Sequence, residues 1–93
     1  MKKLSKEHQE MILNFGYPER DLAQIEKALK YTDFELYDQS KTEDEKITID
    51  KAIEILGEEL FLSGICRSAF HWSATRESKK GQKVYFNSSR LFK

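Results

Sequence analysis

The chain has one cysteine, one proline and four glycines among its 93 residues, and no long apolar run anywhere. Each shortage excludes something. A lone cysteine, Cys66, forbids an internal disulfide, and without an export signal a reducing cytoplasm is the expected location. Glycines at 16, 57, 64 and 81 are too scattered to form a phosphate-cradling loop. Apolar runs such as Leu60-Phe61-Leu62 stop at three residues, against the roughly 18–20 needed to span a bilayer. Met1-Lys2-Lys3 is a basic start, but Leu4-Ser5-Lys6-Glu7 puts no apolar segment behind it, so no cleaved signal peptide is expected. Cys66, His8 and His71 are too few and too unevenly spaced for a structural zinc site, and neither metal nor cofactor is expected.

What is present suits one compact domain over residues 1–93. Hydrophobic residues make up 39% of the chain and aromatics 12%, which is too much for a disordered segment. Met11, Ile12 and Phe15 begin the apolar pattern, with Ser5 as the helix N-cap and Gly16 as the stop. Pro18 opens a second helix carrying Leu22, Ile25, Ala28 and Leu29 on one stripe, so residues 1–31 read as a helical hairpin. Residues 31–38 are ambiguous, since Phe34 and Leu36 alternate with polar neighbours as a short strand would. Gln39 to Lys46 is polar throughout and reads as a solvated loop.

Thr48 caps the strongest periodic segment, with Ile49, Ala52, Ile53 and Leu56 at helical spacing and Gly57 behind them. Residues 48–73 therefore read as a helix–turn–helix-like pair or as one long helix. Gly64 inside the second half implies a close approach by a neighbouring helix. Ser78-Lys79-Lys80-Gly81 then separates two β-prone runs, so residues 74–93 read as a hairpin and tail. The expected fold is mainly α with a small C-terminal β-hairpin, around Leu22, Ile25, Leu29, Ile53, Leu56, Leu60, Phe61, Ile65 and Ala69.

Charge is balanced overall, 16 against 16, but unevenly spread. Residues 33–59 hold ten acids against three lysines, and residues 64–93 hold seven Lys and Arg against Glu77 alone. Two such faces attract each other within a fold, and they also orient a charged partner. A four-residue loop would set Arg76 opposite Lys83 with Lys79 and Lys80 at the tip, a like-charge arrangement that an anion relieves. His71, Trp72, Tyr85 and Phe86 lie close by in sequence, where aromatic groups beside basic ones suit base stacking, but Trp72, Val84 and Phe86 are expected in the core before they are expected as stacking platforms. The candidate nucleic-acid contacts are Arg67, Arg76, Lys79, Lys80, Lys83, Tyr85 and Arg90, with Lys93 in the same basic stretch. The helix–turn–helix-plus-wing template fits poorly, because Gly57 lies five residues after Ala52 and the second helix is rich in Leu60, Phe61 and Ile65.

No nucleophile motif, oriented base or paired acids appear, so no catalytic residue is assigned and a non-enzyme is expected. Ile53-Glu54-Ile55-Leu56-Gly57, Phe61-Leu62-Ser63-Gly64 and Arg67-Ser68-Ala69-Phe70-His71-Trp72 resemble small proteins carried by low-GC Gram-positive bacteria and their mobile elements. That resemblance implies no activity. The first expected function is protein–protein interaction or self-assembly, a homodimer included, through apolar helix faces near residues 53–65. The second is a nucleic-acid-binding accessory protein, and no membrane partner is expected.

Overall fold

Helix α1 (Lys6–Asn14) starts where Ser5 Oγ accepts the His8 amide at 3.2 Å and His8 Nδ1 accepts the Ser5 amide at 3.4 Å. This is a computed structural model of the chain, and it describes residues 3–30, 35–40 and 42–92. Pro18 does not begin an α-helix directly. It leads into a short 3-10 turn (Glu19–Asp21), and α2 (Leu22–Lys30) follows. Thr48 Oγ1 accepts the Lys51 amide to start α3 (Ile49–Leu56), and Gly57 ends it. Gly57 sits at φ 84°, a conformation a side chain would resist, and the chain turns there into α4 (Glu58–His71). Residues 48–73 are thus two helices, not one.

The expectation of a mainly helical fold with one terminal hairpin is overturned by a four-stranded antiparallel sheet drawn from the whole chain. Strands β1 (Glu35–Asp38), β2 (Glu45–Ile47), β3 (Ser73–Glu77) and β4 (Lys83–Asn87) lie in the order β2-β1-β4-β3, giving an α+β architecture. Two hairpins, β1–β2 and β3–β4, join through the β1–β4 seam, where Leu36 faces Phe86 and Tyr37 faces Tyr85. The stretch read as a solvated loop therefore ends in the first two residues of β2, which pairs through its backbone and exposes Glu45 and Lys46. Residues 31–34, where that ambiguous stretch begins, lie outside the described residues.

The helices occupy one face of this sheet. α4 packs on β3 and β4, α3 reaches β1, and α1 and α2 pack against α4. Strand alternation sends Leu36, Ala74, Val84 and Phe86 inward, where they meet Phe61, Leu62, Ile65 and Ala69 of α4. Ile25, Leu29, Leu56, Phe61, Ile65 and Ala69 are buried as expected, whereas Leu22, Ile53 and Leu60 are only partly covered. At Gly64 the close neighbour is a strand residue, not a helix: a Cβ there would collide with the Phe86 ring. The radius of gyration is 12.4 Å, as compact as a chain of this length normally becomes. Among the described residues, no helix is long and apolar enough to cross a membrane.

Candidate functional site

Ser78 decides how the β3–β4 hairpin is read. Its N–H donates to the Gln82 carbonyl at 2.8 Å, and its Oγ accepts the amides of Lys80 and Gln82. The loop therefore runs from Ser78 to Gln82, one residue longer than the sequence pattern implies. Glu77 then faces Lys83, and Arg76 faces Val84. The expected Arg76–Lys83 opposition does not exist, because a one-residue shift sends two side chains to opposite sheet faces.

The basic candidates consequently fall in three places. Lys83 and Tyr85 lie on the helix-free face, where the Tyr85 and Tyr37 ring centroids are 6.4 Å apart. Glu35 on the same face accepts from the Tyr37 hydroxyl at 2.6 Å and from Asn87 at 3.4 Å. Lys79 and Lys80 stand at the hairpin tip, beside a hollow of about 280 Å³ that Ile55, Leu56 and Leu60 also line. Glu54 shares that hollow, and Glu58 and Glu59 line an adjoining one with Lys79. Here the acidic and basic thirds of the chain meet, so the tip is not a purely cationic surface. The Arg90 side chain and Lys93 lie outside the described residues.

Arg67 and Arg76 form the third group. Ser63, Arg67 and Phe70 share one stripe of α4, at i, i+4 and i+7. Arg76 reaches this stripe from β3: its Nε donates to Ser63 Oγ at 2.8 Å, and Nη2 to the Ser63 carbonyl at 3.3 Å. Nη1 donates to the Thr75 carbonyl at 3.0 Å. Tyr17, from the corner between α1 and the 3-10 turn, lays its ring against Phe70 with centroids 6.2 Å apart and planes within 17°. Burial pushes the Tyr17 phenol above its ordinary value, while the Arg76 and Arg67 guanidinium groups pull it down and Asp21 adds to the rise. Cys66 adds to the rise as well, so two arginines and two acidic groups bear on one hydroxyl. Among the described residues, no carboxylate lies within salt-bridge distance of either.

Beyond Phe70 the helix ends at Trp72, whose indole the sequence pattern assigns to the core first. It is 64% exposed. Trp72 has φ 64° and ψ −44°, positive φ at a bulky residue, which costs about 1–3 kcal/mol. Ser88 holds it there. The Ser88 amide donates to the Trp72 carbonyl at 2.6 Å, and its buried hydroxyl places its one proton between the carbonyls of Ser68, the nearer, and Trp72. Phe70 left a sequence signal by falling off the apolar stripe of its helix. Tyr17 and the exposure of Trp72 left none, since both depend on how three separate segments meet.

Cys66 sits inside the same helix with no exposed surface, and burial pushes its thiol up to about 12 despite the pull of Arg76. It is an inert core residue at neutral pH. Among the described residues, no three of His, Cys, Asp and Glu converge as a metal site. No family model, curated protein or solved structure matches the chain.

Proposed function

We propose that the protein is a non-enzymatic module that binds nucleic acid on the surface formed by the second half of α4 and the start of β3. The observation that carries this reading is the pairing of Arg67 and Arg76 beside Tyr17 without a carboxylate partner among the described residues. Arg76 is half-buried and its hydrogen bonds go to neutral oxygens. Among the described residues, the negative charge beside it is Asp21, which acts on the same Tyr17 hydroxyl from beyond salt-bridge distance. A phosphate supplies the missing charge, and guanidinium groups bind it in a directed, bidentate way. Lys79 and Lys80 are assigned a smaller share, because Glu54, Glu58 and Glu59 surround them.

A salt titration tests the reading. With two phosphate contacts, log K for a single strand falls against log salt with a slope near ~−1.4, about −0.7 per contact. Arg67→Ala, at an exposed position, halves that slope without altering the melting temperature. Absence of binding to single-stranded and duplex DNA and RNA at low salt would falsify it.

Self-assembly is favoured by a different feature, the open edge of β3. The Trp72–Ser88 and Ser78–Gln82 bonds set the alternation, so Ser73, Thr75 and Glu77 direct their backbone groups away from β4. A second β3 centred on Thr75 would place no like charges opposite one another. Arg76 guards this edge by occupying the Thr75 carbonyl. Of the apolar positions around residues 53–65 expected to drive association, Leu56, Phe61, Leu62 and Ile65 are committed to the chain's own core, while Ile53, Ile55 and Leu60 are partly covered. Light scattering over a dilution series measures whether the edge pairs, and a strict monomer at high concentration removes this second reading.

A further inference from the structure

From the corner at Trp72, we infer that the ligand is single-stranded nucleic acid and that the Trp72 indole is the platform on which one of its bases stacks. The inference rests on the nucleic-acid reading above and adds the strand state and the stacking residue. Its starting point is that the fold gains little from this side chain. The indole is 64% exposed, yet the backbone beneath it is held at φ 64° by Ser88, a residue with no exposed surface. Phe86, by contrast, contributes its whole ring to the core. The strained turn therefore serves to aim an aromatic face outward at the point where α4 hands the chain to β3.

What covers that face follows from the neighbouring charge. Arg67 lies five residues before Trp72 on α4, and Arg76 lies four after it on β3. An extended strand of that length spans about 13 Å, so the indole lies within reach of the same flexible polyanion as the arginine pair. Phe70, 36% exposed and stacked on Tyr17 through one face, offers a second ring on the stripe of α4 that carries Arg67. Cations that bind backbone phosphates beside aromatic faces that take bases are the two components of sequence-tolerant single-strand recognition. In a duplex the bases are already stacked and their faces are hidden, so this arrangement selects unpaired strands. An apolar protein partner would cover Trp72 equally well but would leave Arg67 and Arg76 uncompensated.

Trp72 is the only tryptophan in the chain, so its emission reports directly on the contact. Oligothymidylate of about 12 nucleotides, within the usual site size, is titrated into the intact protein at low salt. The same experiment is repeated with a duplex of equal length. Quenching by the single strand and little or none by the duplex is the expected result. Fluorescence anisotropy of a labelled strand then compares variants. Trp72→Gly, which suits the positive φ, weakens binding about 5- to 150-fold and leaves the melting temperature level or higher. Trp72→Phe retains most of the affinity, and Trp72→Leu does not.

The failures separate cleanly. If the single strand binds and Arg67→Ala weakens it, but Trp72 emission and the Trp72→Gly affinity are unchanged, the stacking inference is overturned and the nucleic-acid reading stands. Equal quenching by duplex overturns the strand preference. If no nucleic acid binds, both fall together. Emission that changes with protein concentration alone, without nucleic acid, means that a second copy covers the indole and also overturns the inference.

Discussion

The middle of α4 and its end treat aromatic side chains in opposite ways. At Gly64 the helix presents no side chain, and the Phe86 ring of β4 fills the space completely, 5.8 Å from the Phe61 ring centroid. Eight residues later the chain leaves the helix with its largest side chain in solvent, on a backbone that favours glycine. In the first place the side chain stabilises the fold. In the second the fold holds a side chain in a position from which it gains little. Burial here is decided by which element passes over the helix. The sheet covers α4 as far as Ser68 and Ala69, and the turn into β3 carries the chain away before anything covers Trp72.

The sharpest way to break the packed region is Phe61→Ala, which removes a fully buried ring and lowers unfolding free energy by about 3–5 kcal/mol. Denaturant melts measure it, and a loss under about 1 kcal/mol would place Phe61 outside the core. Gly64→Ala tests the contact from the other side. Alanine favours a helix by about 1 kcal/mol, so a net loss of about 1–2 kcal/mol in the same melts means that overpacking against Phe86 outweighs propensity. A gain in stability would show that the ring yields.

The strained end is weaker and is probed at its fastener. Ser88→Ala deletes the hydroxyl that joins the Ser68 and Trp72 carbonyls, and costs about 1–3 kcal/mol. Its distinguishing readout is Trp72 emission, which shifts if the turn relaxes and stays put if Ser88 serves only the core.

Cys66 gives the smallest effect at neutral pH and a signed one above it. Its thiol ionises near 9 in the unfolded chain and near 12 in the fold, so the unfolded state binds fewer protons between those values. Stability is therefore unaffected below about pH 9 and declines as pH rises towards 12. Cys66→Ala flattens that alkaline decline, and a native-state thiol reagent at pH 8 reacts with wild type only as fast as the fold opens.

Residues 48–73 were the most readable part of the chain because their signals are local. Thr48 caps its own helix, Gly57 turns its own corner, and the apolar spacing of α3 is visible in eight residues. The β1–β2 hairpin was not readable for the converse reason. Glu45 and Lys46 are polar and exposed, and they belong to a strand only because β1 offers backbone partners. β1 itself has four residues, and the strand that completes its pairing is almost fifty positions away. The β3–β4 register was missed by one position because Ser78 captures Gln82 into the loop through its hydroxyl. Among the candidate contacts, Arg76 is bonded to Ser63, one turn from Arg67 on the same stripe of α4. Lys79, Lys80, Lys83 and Tyr85, though close in sequence, are dispersed by that same register.

Composition and local pattern by themselves determined that the chain has a core, that Ser5 and Thr48 start helices, and that its basic residues crowd into the last third. The caps are set by groups a few residues apart, which a single local turn of chain brings together without any long-range contact. The tertiary structure alone decided which strands form a sheet, which face α4 turns to it, and which arginines are left without a carboxylate among the described residues. Those outcomes depend on contacts such as Phe86 on Gly64, Arg76 on Ser63 and Ser88 on Trp72, between residues that are neighbours only after the chain has closed its long loops.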